Sequence, residues 1–350
     1  MSKIPATLLI FVCFCFETLA WNGSGHMVVS QIAYNHLDPA VKAKCDAVIA
    51  VPLTYGSSGN NTFVTAACWA DDYKSQLGTA NWHYIDLPFS LDGTSTNGVV
   101  PESYDVVLAI NMCISNLLNN SSAPTNQATC LRYLLHFVGD IHQPLHASTA
   151  VWASRLTGDA GGNGFNITGQ WSNLHSLWDS GGGYVSNSWS RPLSASDQNA
   201  LNAKVATAEA DYPYTPHLGI PDPMDWAEEG WNVAQTVSYV DITRGTTPSA
   251  AYLNSATATS EQRLALGGHR LADLLNSLFS TNAVKLACSP MTNNAFGFSW
   301  NSISGRTYKV QWKAAFNDSW TDRTNITATG SVTSFVEPVG QTQRLYRVAQ

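Results

Sequence analysis

The chain has 350 residues, 44% of them hydrophobic and only 12% charged, with a formal net charge of −7. That length accommodates one large domain, or a large domain with a small companion. The acidic balance excludes a protein that grips polyanions through a broad basic face, although bound cations would change the local sum.

Residues 1–20 begin with Lys3 as the basic residue, run apolar from Leu8 to Phe16 and close on Thr18-Leu19-Ala20, a small-x-small pattern. They predict a secretory signal peptide cut before Trp21, hence an extracellular or periplasmic protein. The apolar run is too short to span a bilayer, and no later stretch is long and apolar enough to do so. Cys13 and Cys15 leave with the leader. Cys45, Cys68, Cys113, Cys130 and Cys288 remain, an odd number, with Cys113–Cys130 and Cys45–Cys68 as the local pairings to test first. The cut would expose an α-amine on Trp21, which can chelate a metal together with its own carbonyl, with His26 in reach.

Helical spacing runs over 25–50, with a second helix starting at Asp38-Pro39, and a Gly/Ser/Asn loop over 51–67 leads into helix around Trp69. Ser103–Leu118 and Ala128–Ile141 are the clearest amphipathic helices, and Gln143-Pro144 ends the latter. A Gly/Asn-rich loop over Asp159–Gly169 precedes a short helix at Ser172–Asp179, capped near Ser172 or Asn173 and stopped by Gly181–Gly183. Helical pattern returns at 194–210, 225–242 and 258–279, so the core is mainly α. After Cys288 the period changes: Phe296, Phe298 and Trp300 alternate, a turn over Asn301–Gly305 follows, and Tyr308, Val310 and Trp312 alternate again, a β-hairpin signature. Trp320, Phe335, Tyr346 and Val348 suggest further strands. The organisation expected is a domain over 21–281, a linker over 282–291 and a small β-sandwich over 292–350.

The chemistry concentrates around His136-Phe-Val-Gly-Asp140-Ile-His142-Gln-Pro-Leu-His146. His136 and Asp140 stand four apart on one helix face, about 6 Å along the axis, and can share a divalent ion. His142–His146 is a rival pair at the same spacing, while His146 can also fold back past Pro144. His175 and Asp179 repeat the four-residue spacing. Trp69-Ala-Asp71-Asp72-Tyr-Lys74 and Trp82-His83-Tyr84-Ile-Asp86 add another carboxylate and another imidazole. Imidazoles with a few carboxylates favour zinc over calcium or magnesium. Each motif alone has a plainer reading: a hydrogen-bonded His–Asp pair, core aromatics at Trp82 and Tyr84, a solvated Lys74. Their number in one chain outweighs those readings.

Trp21…His26, Trp-Ala-Asp71, Trp-His83-Tyr-Ile-Asp86, His136-x-x-x-Asp140…His146, Gly161-Gly162-Asn163, Asn-Leu-His175-x-x-Trp-Asp179 and Gly267-Gly268-x-Arg270-Leu-Ala, in this order, resemble the zinc-dependent single-strand-specific (type I) nucleases of moulds, plants and bacteria. The phospholipases C are their distant kin. The resemblance runs from Trp21 to about residue 280, and the tail resembles β appendages of secreted bacterial hydrolases.

The resemblance implies three zinc ions. One would be held by Asp71, His83, His136 and Asp140, a second by the Trp21 amine and carbonyl with His26 and the bridging Asp140, and a third by His146, His175 and Asp179. His142 would sit behind the ligands and orient them. It further implies hydrolysis of single-stranded DNA and RNA to 5′-phosphate products by a hydroxide between the paired zincs, with Asp71, Lys74 and Asp140 at the reaction centre and 3′-nucleotides as further substrates. Lys74 stands where the family commonly has arginine, whose planar fork a lysine cannot reproduce. Tyr84 would stack on an unpaired base and Asp86 accept from its edge, with Asn163 a further substrate contact. Nothing implies an oligomer, and a monomer is expected. The rivals are a zinc phospholipase C, disfavoured by the short Trp21–His26 spacing and by Asp179 where those lipases use glutamate, and a secreted binding protein without activity, disfavoured by the complete ligand set.

Overall fold

A computed structural model describes residues 21–350, apart from 57–61, 120, 217–220, 280–285, 293–294, 303–306, 316–317, 331, 339–343 and 350, and apart from the side chains of 286–292 and 301. The expected leader, residues 1–20, lies outside the described residues.

The architecture is mainly α followed by a small β region. Helix α1 (Gly23–His36) starts where the Asn22 side chain accepts from the Gly25 N–H at 3.1 Å, the capping role this residue type favours. It is buried along most of its length and packs against α5 (Pro124–Asp140), α7 (Ala195–Asp211) and the long α9 (Ala250–Phe279). Helices α2 (Pro39–Ile49), α3 (Trp69–Leu77) and α4 (Val106–Leu118) close this core, which is rich in Leu, Ile and Val. A second apolar cluster, around Trp178, Phe165 and Tyr239, joins α6 (Leu174–Asp179), the stretch after α8 (Pro223–Val233) and the start of α9.

The expected helices all form, with shifted ends. α5 begins at Pro124 rather than Ala128, since proline is suited to the first helical turn. α9 begins eight residues before the expected 258. The stretch 225–242 divides into α8 and a π-turn at Ala234–Ser238. Strands β1 (Pro88–Ser90) and β2 (Thr149–Val151) pair in parallel beside the loops that carry the site.

In the tail, β3 (Leu286–Thr292), β4 (Ala295–Asn301) and β7 (Val332–Pro338) form one sheet in the order β3-β4-β7, while β5 (Thr307–Lys313), β6 (Thr321–Thr327) and β8 (Leu345–Ala349) form another in the order β6-β5-β8. The expected hairpin of 296–300 with 308–312 does not form: these strands belong to different sheets. Alternation reports only that each strand buries one face. Here Phe298 and Trp300 meet Tyr308 and Val310 across the space between the sheets, with the Trp300 and Tyr308 rings 5.9 Å apart. β3 also lies within much of the stretch expected to be linker. An ion pair at 3.2 Å joins Lys313 of β5 to Asp222 ahead of α8.

Neither expected disulfide is present: Cys45, Cys68, Cys113 and Cys130 are free thiols. Cys68 donates to the Gly23 carbonyl instead, whereas Cys113 and Cys130 are hydrogen-bonded neighbours. The Cys288 side chain lies outside the described residues. Among the described residues, no helix is long and apolar enough to cross a membrane.

Candidate metal centre

The end of α5 is the hub. His136 and Asp140 point from one helix face, as their spacing predicts, with His136 Nε2 3.3 Å from Asp140 Oδ2. His83, from the turn after α3, brings Nδ1 to 3.0 Å from the same oxygen. The other carboxylate oxygen faces elsewhere: Asp140 Oδ1 lies 3.3 Å from His26 Nε2, which α1 supplies. Asp71 of α3 completes the group, its Oδ1 at 3.6 Å from His83 Nδ1 and 3.7 Å from His136 Nε2. Lys74, one turn on, donates to Asp71 at 3.2 Å. His26 can approach only because α5 has glycine at 139, where a methyl group would stand 2.8 Å from His26 Nδ1.

A second group forms beyond the Pro144 turn. His175 Nε2 and His146 Nε2 lie 3.4 and 3.8 Å from the two oxygens of Asp179. The Gln143 amide donates to Asp179 at 2.8 Å, an orienting contact that sequence reading missed because Gln143 figured there only as a helix stop.

Backbone carbonyls set the tautomers. Nδ1–H donates from His136 to Ala67 O at 2.6 Å, from His146 to His83 O at 2.8 Å and from His175 to Gly161 O at 2.6 Å. A carbonyl can only accept, so in the neutral ring each Nε2 keeps its lone pair and aims it into the cluster, the outer-shell arrangement typical of metal-bound histidine. Gly161 is held at φ +60°, and a side chain there would press 2.3 Å from Leu145 O. Only glycine presents that carbonyl to His175.

Trp21 is fully buried. Its indole donates to Gly139 O at 2.9 Å, and the next peptide N–H, of Asn22, donates to Asp179 O at 3.0 Å. The chain at Trp21 is thus tied to both groups.

The electrostatics call for cations. Burial, with His136 stacked at 3.7 Å, brings His26 down to about 3. Burial also lowers His83. It opposes the charge on His136, yet the Asp140 and Asp71 carboxylates raise that group to about 9. Burial would lift Asp140 and Asp71 too, but the neighbouring imidazoles outweigh it and hold both low. Burial drives Asp179 well up, with Asp71 and Asp140 adding repulsion. His26 Nε2 and His146 Nε2 are buried without a hydrogen-bond partner, and the buried Asp140 oxygens have only the facing imidazoles. Such atoms are costly unless paired or bound to a metal. The sets His26–Asp71–His136, His83–His136–Asp140 and His146–His175–Asp179 each bring donor atoms close enough for one ion.

His142 is not among them. Its Nδ1–H donates to Val138 O at 2.7 Å and its Nε2 accepts from Arg270 at 3.0 Å, so the rival His142–His146 pair is not assembled. Arg263 holds its peptide oxygen at 3.0 Å, so His142 ties the end of α5 to α9.

Past His83 the chain is extended, and alternate residues face opposite ways. His83 and Ile85 are buried, while Tyr84 and Asp86 remain partly exposed on the other side. Burial, then the charges of Asp159 and Glu102, raises Asp86 to about 7. Asn163 follows the Gly161-Gly162 turn and donates to Ala160 O at 2.8 Å.

A profile for the S1/P1 Nuclease family matches residues 21–280. Similar proteins include Endonuclease 3 of Arabidopsis thaliana, 29% identical over 294 residues that cover 78% of this chain and 94% of the relative. Nuclease P1 of Penicillium citrinum is 27% identical over 290 residues, 76% of this chain and 100% of its own length. Nuclease S1 of Aspergillus oryzae is 27% identical over 290 residues, 75% of this chain and 93% of its own.

Proposed function

The chain belongs to the S1/P1 nuclease family and is a phosphodiester-cleaving enzyme, and from that premise we propose that it is a secreted zinc-dependent endonuclease of single-stranded DNA and RNA that also acts on 3′-nucleotides. The observation that carries the metal assignment is Asp140, whose two oxygens face different imidazole sets. Asp71, His83, His136 and Asp140 would hold one zinc. The Trp21 amine and carbonyl, His26 and Asp140 would hold a second, and His146, His175 and Asp179 a third. Ions there would acidify water and neutralise charge on the phosphate.

The protein's own groups orient the reaction. Asp140 fixes the spacing of the paired positions, and the carbonyls of Ala67, His83 and Gly161 keep three imidazoles aimed inward. Lys74, beside Asp71, adds positive charge where negative charge grows on the phosphate. Tyr84 offers a ring to an unpaired base, Asp86 accepts from the base edge, and Asn163 contacts substrate near the third group. Duplex bases are already stacked, so single strands are preferred. The β tail, whose apolar cluster consists of its own strands, is an accessory unit following the nuclease domain.

The processed protein should cut a single-stranded oligonucleotide to 5′-phosphate products, lose activity to a chelator and regain it with zinc. Phosphatidylcholine should remain intact. Lipid cleavage without DNA cleavage would overturn the assignment.

Asp86 supplies a finer test. With its carboxyl raised to about 7, it is protonated below that pH and a full acceptor above it. KM for a base-bearing substrate should therefore fall as pH rises through about 7, and Asp86→Asn should flatten that step. A step that persists in the variant would remove Asp86 from base reading.

A further inference from the structure

Away from the centre, three side chains with metal-ligating chemistry meet between helices: His36 at the end of α1, Glu209 in the last turn of α7 and His269 on α9. His36 lies ten residues beyond His26 on the same helix, about 15 Å along its axis, so this is a separate location. His36 Nε2 is hydrogen-bonded to Glu209 Oε1. His269 is 8% exposed, and its Nε2 has no hydrogen-bond partner. The three donor atoms lie within 4.8 Å of one another.

The surroundings hold this arrangement in place. The Asn276 amide, two turns along α9 from His269, donates to the His36 carbonyl at 3.0 Å and accepts from the Asp38 N–H at 2.9 Å, clamping the end of α1. The Tyr214 ring lies tilted against those of His36 at 4.1 Å and His269 at 5.1 Å, and its hydroxyl donates to Asp273 at 2.6 Å, one turn from His269. His36 and Glu209 are each about a quarter exposed, which gives an ion and its waters a way in.

We infer that His36, Glu209 and His269 form a further metal site for a borderline divalent transition ion, zinc foremost, with water completing the coordination. Two imidazoles and one carboxylate suit that class of ion. A tetrahedral zinc with bonds near 2.1 Å spaces its ligands by about 3.4 Å, so the His36–Glu209 hydrogen bond must open to admit the ion, a movement that the partly exposed Glu209 side chain can supply. Burial, then His36, lowers His269 to about 4, so its lone pair is available at neutral pH. The ion would pin α1, α7 and α9 together and take no part in cleavage.

The test is zinc alone, titrated into the chelator-stripped full processed chain and counted per chain. His269→Gln and Glu209→Gln should each bind one zinc fewer than the unsubstituted protein, cleave a single-stranded oligonucleotide at an unchanged rate, and show a smaller zinc-dependent rise in Tm. Asp140→Asn, by contrast, should lower zinc content and activity together while leaving the His269-dependent ion bound. Should a buried-site variant fold poorly, His36→Gln and zinc-edge anomalous diffraction from crystals of the unsubstituted protein give the same reading. Equal zinc counts, activity lost along with the ion, or no anomalous peak among the three side chains would each overturn the site.

Discussion

Asp140→Asn is expected to remove zinc from both paired positions and to lower kcat/KM by roughly a thousandfold or more, about 4 kcal/mol of transition-state stabilisation. The substitution keeps the shape and removes the charge. The carboxylate is fully buried, with one oxygen toward His26 and the other toward His83 and His136, so its loss reaches two sets of ligands at once. Asp179→Asn should be narrower. That carboxylate meets His146 and His175, with Gln143 holding it, so one zinc should go and the other two stay. Zinc counting on both variants, with circular dichroism to establish folding, decides the matter. Equal zinc loss from the two would contradict the bridging role of Asp140.

One extra residue left before Trp21 should cost at least a hundredfold in turnover, at the upper end of the roughly 10- to 100-fold effects seen when supporting contacts at metal sites are lost. It should also cost a zinc. Two physical effects act together. An α-amine has a lone pair for a metal, whereas the amide nitrogen made by a preceding residue does not. The added residue must also fit where Trp21 is fully buried, with its indole on Gly139 O and the following N–H on Asp179 O. Removal of the leader would then be an activation step as well as a targeting event. Mass spectrometry of the amino terminus, zinc content and turnover measured on the same samples test this. Full zinc and full turnover in the extended protein would sink the chelate.

The sequence by itself determined what depends on neighbours along the chain. The pairs His136/Asp140 and His175/Asp179 were legible because four residues nearly close a helical turn, whatever the helix later packs against. The helix stops and the strand character of the tail were legible for the same local reason. Tertiary structure decided what depends on how distant segments cross. It put Asp71 against imidazoles from two other elements, turned His142 toward Val138 and Arg270, and set Gln143 on Asp179. It also separated β4 and β5 into different sheets, since strand alternation is identical whether the buried face meets a neighbour in one sheet or a partner across a core. The His36–Glu209 contact joins residues 173 positions apart. No periodicity links such positions; the packing of α1, α7 and α9 does.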